Sequence, residues 1–233
     1  MIVDNIQFAG FCKNLKIDDK SVRRKIEDSL SEFTFSFFTS PPSPNIEIVS
    51  DLIGYTEHRH SRLQISGNLA KLLMTFDKDF RNDFEKSLGY AYEKIKSVSR
   101  VLADIDANFY SGIVIQYLFQ DARYTDNVID FINHNSVKII GNERFFGFGK
   151  NFSLVHDDRF YLNFSISSLK PRDGSDLILG VSVDINNRYS SEIKEQSVGY
   201  DDIDCMKQLH CHIAKVVLER LLTKGELDLN EKF

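Results

Sequence analysis

The stretch from Arg159 to Tyr189, RFYLNFSISSLKPRDGSDLILGVSVDINNRY, leaves the chain few folds to choose from. Phe160, Leu162, Phe164 and Ile166 recur at every second position, and Leu177, Leu179, Val181, Val183 and Ile185 do the same after Pro171, Asp173 and Gly174. Successive side chains of a strand point to opposite faces, so strict alternation predicts two antiparallel strands with one buried face. Pro, Asp and Gly between them are turn formers. The opposite face carries Tyr161, Asn163, Ser165 and Ser167, then Ser182, Asp184, Asn186 and Arg188. A solvated sheet face usually draws Lys, Glu and Thr; this one is mostly small and uncharged. It reads either as an ordinary solvent-facing sheet or as a flat or concave contact surface.

Three amphipathic helices stand out. Val22, Ile26, Leu30 and Phe33 follow a possible cap at Asp18 or Asp19. Phe80, Phe84, Leu88, Ala91, Ile95, Val98 and Leu102 keep helical spacing after Asp77 or Asp79. Ile203, Met206, Leu209, Ile213, Val216 or Val217, and Leu221 form the last stripe, opened by Asp201 or Asp202 and closed by Lys224 and Gly225. A shorter helix is expected after Thr125 through Ile132.

Strand patterns fill the rest. Ile6 to Lys13 alternates, and Ile113, Ile115, Tyr117 and Phe119 form a run that is apolar on both faces and so central in a sheet. Ile46 to Val49, Leu52 to Thr56, Val137 to Ile140 and Phe145 to Val155 are further strand material, and Ser40 to Pro44 interrupts regular structure. In EHRHSRLQISGN, Leu63 and Ile65 point one way and His58, His60, Arg62, Gln64 and Ser66 the other. Leu69 to Phe76 is apolar without a clear period.

Laid side by side, residues 1–104 and 105–233 share one order: strand, helix, two or three antiparallel strands, longer helix. The expected fold is α+β, with the two halves packed as one globular unit, a curved antiparallel sheet and helices on one face. His60, Arg62 and Gln64 from one half and Asn163, Ser165, Asp184 and Asn186 from the other are expected to share the uncovered face. This order resembles the duplicated plan of the TATA-binding-protein-like fold. The segments GVSVDINNRY and KQLHCHIAKVVLERLLTKG are similar to the end of a sporadically distributed, uncharacterised bacterial family of similar length. That resemblance covers about the last 80 residues of the chain. It carries no catalytic residues to transfer, and it implies an accessory subunit of a bacterial defence or toxin-linked complex.

The chemistry-bearing residues are sparse. Cys205 and His212 lie seven positions apart, about 10.5 Å along a helix, too far to share a zinc ion whose ligands sit about 2.0–2.3 Å away. His210 falls beside the apolar stripe and reads as a packed core residue. His58 and His60 make half a metal site at most, so no metal is assigned. Gly147-Phe148-Gly149-Lys150 lacks the spacing of a phosphate loop, and no G-x-S-x-G or H-E-x-x-H motif occurs. Asp184 is the best single acidic candidate, with Asn186 and Arg188 on its face.

Composition narrows the partners. A net charge of −5 opposes wholesale coating of nucleic acid, no apolar run approaches the about 20 residues of a membrane helix, and MIVDNIQFAG lacks the basic start and apolar core of a secretory signal. Three scattered cysteines suit free thiols and a cytoplasmic location. The expectation is a non-catalytic interaction or scaffold subunit that self-associates or binds a protein partner, with no cofactor. Its binding surface comprises His58, His60, Arg62, Gln64, Tyr161, Asn163, Ser165, Asp184, Asn186 and Arg188. The alternative is a ligand- or nucleic-acid-binding module on that same face; a third reading is a hydrolase centred on Asp184, His58 and His60.

Overall fold

The computed structural model describes residues 1–13, 15–39, 50–105, 110–119, 147–169, 178–193, 202–224, 226–227 and 229. The expected helix after Thr125, the strands at 46–49 and 137–140, the turn at Pro171 to Gly174 and the role of Gly225 lie outside these residues.

Chain order runs β1 (Ile2–Phe11), α1 (Lys20–Ser29), β2 (Phe33–Thr39), β3 (Ser50–Thr56), β4 (Ser61–Ser66), β5 (Leu69–Thr75), α2 (Lys78–Arg81) and α3 (Phe84–Ile105). It continues through β6 (Tyr110–Phe119), β7 (Gly147–His156), β8 (Phe160–Leu169), β9 (Ile178–Asn186) and a π-helical turn (Tyr189–Ile193). The last helix is α4 (Asp202–His212), which passes through a second π-helical turn (Ile213–Val217) into α5 (Leu218–Lys224). The nine strands form one curved, open, antiparallel sheet in the order β2-β3-β4-β5-β1-β6-β9-β8-β7. The order has a centre: β1 and β6 lie side by side, each flanked by the last strand of its own half, β5 or β9.

Alternation decides which residues face the helices. Ile6, Phe8, Leu63, Ile65, Leu72, Met74, Ile113, Ile115, Leu162, Phe164, Val181 and Val183 are all buried on one face. Ala91, Ile95 and Val98 of α3 and Met206, Ile213, Val217 and Leu221 of the C-terminal helix complete the core from above. Each fully buried aliphatic side chain contributes about 1.5–3 kcal/mol of transfer free energy.

Caps set the helix starts. Asp19 accepts from the Ser21 N–H at 2.7 Å and Asp77 from the Phe80 N–H at 2.9 Å. The long second helix of the sequence is interrupted, because Asp83 accepts from the Lys86 N–H at 3.0 Å and starts α3 afresh. Phe33, on the helical stripe of the sequence, instead opens β2 and pairs with Thr56. Leu69–Thr75 resolves as a strand whose Ala70, Leu72 and Met74 face the core. The π-helical turn selects Val217 rather than Val216 for the buried stripe.

One buried polar network fastens the second half. The Ser111 N–H donates to Asn187 Oδ1 at 2.8 Å, Asn187 Nδ2 donates to Asp202 Oδ2 at 2.6 Å, and Arg159 pairs with the other oxygen of Asp202. Asn187 and Asp202 are buried, so these bonds replace water completely. Asp202→Ala strands the Asn187 amide and one pole of an ion pair; it should lower unfolding free energy by about 3 kcal/mol in urea denaturation.

His210 ties the C-terminal helix to the sheet centre. Its Nε2 lies 3.0 Å from the Ile113 carbonyl, and burial pulls its pKa down from 6.5 to about 4. The folded chain therefore holds a neutral ring over a range in which the unfolded chain takes up a proton. Stability should rise with pH between about 4 and 6.5 and fall by about 3 kcal/mol on acidification through that window. Urea unfolding of wild type and His210→Leu across pH 4–7 should show a steeper slope for wild type.

Candidate interaction face

The face of the sheet away from the helices carries the second half of every alternation. Neighbouring strands are in register, so its side chains form rows across the sheet. One row runs from Tyr55 through Arg62, Leu73, Gln7 and Val114 to Asp184, Asn163 and Ser153. The next runs from Gln64 through Lys71, Ala9 and Gly112 to Asn186 and Tyr161. Arg62 and Gln64 thus share a face with Asn163, Ser165, Asp184 and Asn186, but not a site. Arg62 and Asp184 lie four strand spacings apart in one row, about 19 Å.

On the second half, Asp184 is held in place. Asn163 Nδ2 donates to its Oδ2 at 2.8 Å and Asn186 Nδ2 at 3.1 Å. Burial raises its pKa above the ordinary carboxylate value, and the two amide bonds partly offset this. Gly112 on β6 makes the space: a Cβ there would sit 2.8 Å from Asn186 Cβ and 3.4 Å from Asp184 Oδ1. Ser165 is exposed opposite Ser182.

Aromatic rings close one end of the face. Phe11 stacks on Tyr110 with centroids 4.4 Å apart, and Tyr161 meets Tyr189 edge-on at 5.3 Å. Arg188 lies beyond the end of β9, 5.9 Å from the Tyr110 centroid, and its Nε donates to Glu192 Oε2 at 2.7 Å.

A cleft of about 230 Å³ lies near the middle of the sheet, mostly on the first half and bordered by Val114 of β6. Arg62, Gln64, Lys71 and Gln7 form its polar rim, and Ala9, Leu73 and Val114 line it with apolar surface. Arg62 Nη2 donates to Gln64 Oε1 at 3.1 Å. Lys71, Gln7 and the apolar lining were not legible as a site in the sequence. The available signal was the single charge of LAKLLMT, which occupies the outward phase of that strand.

His58 and His60 do not join the strand face. They lie in the turn between β3 and β4, where Arg59 adopts a positive φ of 56° and breaks the alternation. Their rings are 6.2 Å apart. His60 borders a small cleft with Phe76, Asp77, Phe80 and Tyr90, against α2 and α3. Asp184 and this histidine pair therefore sit on different elements, β9 and the β3–β4 turn. Among the described residues no group of three or more His, Cys, Asp or Glu is placed to hold a metal ion, and no helix is long and apolar enough to cross a membrane.

The Asp184 cluster is testable directly. Asn163→Leu removes a donor that favours the charged carboxylate, so the Asp184 titration midpoint should move upward in a carboxyl-carbon NMR titration, with the fold retained. No family model, curated protein or solved structure matches the chain.

Proposed function

We propose that this chain is an interaction subunit that docks a protein partner on the face of its sheet that the described helices leave uncovered. The observation that carries the reading is the character of that face. It is the open side of a nine-stranded sheet whose other side is packed with apolar residues and helices. Eight strand spacings make it about 38 Å wide, and with a depth of about 20 Å it offers about 800 Å² per partner, the area of a standard protein–protein interface.

Its side chains suit recognition. Amides are bonded to one another or to a carboxylate: Asn5 to Gln116 at 2.6 Å, Gln7 to Asn5 at 3.0 Å, and Asn163 and Asn186 to Asp184. Groups held in this way are pre-ordered, so binding costs less side-chain entropy. Between them lie Leu73, Ala9 and Val114, which a partner can desolvate. The face carries both signs of charge, with Arg62, Lys71 and Asp51 on one half and Asp184 on the other. A polyanion gains little from such a mixture, and the whole chain carries −5.

The test is affinity purification of the tagged chain from its native host, with protein and nucleic acid both measured. A stoichiometric protein partner is expected, and Asn163→Arg with Ser165→Arg, which place bulk and charge on the face, should reduce its recovery at least tenfold. Undiminished recovery by that variant overturns the docking face. Nucleic acid that washes off with salt in place of a protein partner replaces this reading with the nucleic-acid-binding one.

A further inference from the structure

We infer that the cleft between Arg62 and Lys71 seats an acidic side chain, glutamate or aspartate, of the docked protein; this rests on reading the face as a docking surface. The register of β4 and β5 places Arg62 opposite Leu73 and Gln64 opposite Lys71. Arg62 and Lys71 are therefore diagonal neighbours on one face, with backbones about 7–8 Å apart, and both border the same cleft.

Neither cation has a carboxylate within ion-pair distance among the described residues. Arg81, Lys96 and Arg188 each do, with Asp4 at 2.9 Å, Asp204 at 2.6 Å and Glu192 at 2.7 Å. The guanidinium is nonetheless oriented, because Gln64 Oε1 accepts from it. Ala9 keeps the cleft open, and Leu73 and Val114 offer apolar contact to the methylenes of an entering side chain. A carboxylate entering here exchanges water for two charged donors beside amide groups.

Charge selects a single acidic residue over a nucleic acid strand. Gln64 Nε2 donates to Asp51 Oδ1 at 3.5 Å, so a carboxylate stands at the border of the cleft. Asp184 lies farther along the same row. The next phosphates of a strand would meet these two acids, whereas one carboxylate seated between Arg62 and Lys71 brings no second charge toward them.

The probe is a capped pentapeptide with one central glutamate between valines, titrated into the ¹⁵N-labelled full chain and compared with its glutamine counterpart. The glutamate peptide should shift the amide signals of Ala9, Lys71, Leu73 and Val114 and bind roughly tenfold more tightly than the glutamine peptide. Arg62→Gln with Lys71→Gln should abolish that difference, while Arg62→Lys retains part of it. Equal binding of the two peptides overturns the assignment, as does a double variant that still discriminates between them. A short single-stranded oligonucleotide that binds this cleft more tightly than the glutamate peptide, with a steep salt dependence, also overturns it. Failure of the cleft is separable from failure of the docking face. A partner lost by Asn163→Arg with Ser165→Arg yet fully retained by the Arg62/Lys71 double variant overturns the cleft alone. Unchanged thermal unfolding of each variant, all at exposed or half-buried strand positions, assigns a loss of binding to the surface.

Discussion

The pairing of β1 with β6 is the constraint on which the rest of the structure depends. Nine residue pairs join these strands, including Ile6 with Ile115 and Phe8 with Ile113, all four buried. The pair joins residues about a hundred positions apart, so its closure brings a large loop-entropy cost that local contacts cannot meet. Burial of both strands under α3 and the C-terminal helix offsets that cost. Once it forms, β5 and β9 are placed on either side, and each half extends outward from the centre. Without it each half would present an unpaired inner edge, a surface that natural sheets avoid exposing.

Among the described residues the helices lie on a single side, which makes the two faces of the sheet chemically different. The covered face is aliphatic and aromatic, and its few polar groups serve as fasteners. His210 reaches the Ile113 carbonyl, and Asn187 with Asp202 and Arg159 pins the start of α4 to β6 and to the turn before β8. These bonds hold the last helix on the centre of the sheet. The open face is thereby left to amides, hydroxyls, a few separated charges and scattered apolar side chains such as Leu73 and Val114. Its geometry is inherited from a core packed on the other side.

That open face is not uniform. Its first half carries a cleft with two cations, and its second half carries a carboxylate gripped by two asparagines. The two centres stand about 19 Å apart across the strands. The proposed docking of a protein on this face would therefore favour one orientation over its reverse, since charge on an interface contributes specificity more than affinity. The aromatic group of Phe11, Tyr110, Tyr161 and Tyr189 marks one end of the face and adds rigid contact area there.

Much of this was legible in the residues themselves. The alternation in β8 and β9, the stripes of α3 and α4 and the caps, narrowed to Asp18 or Asp19 and to Asp77 or Asp79, are local properties, set by the pitch of a helix and the pleat of a strand. The outward placement of Asn163, Ser165, Asp184, Asn186, Arg62 and Gln64 follows from the same period. The position of His58 and His60 did not follow, because a left-handed residue at Arg59 turns the chain just where the pattern continues on paper. Nor did the cleft, whose parts come from β4, β5, β1 and β6. Periodicity tells a side chain which face it takes, and nothing about which strand lies beside it. The sequence by itself determined most of the described elements and their two faces; only tertiary pairing brought Lys71 beside Arg62 and set Asp184 far along the same row, because register between distant strands is chosen by the packing of the whole core.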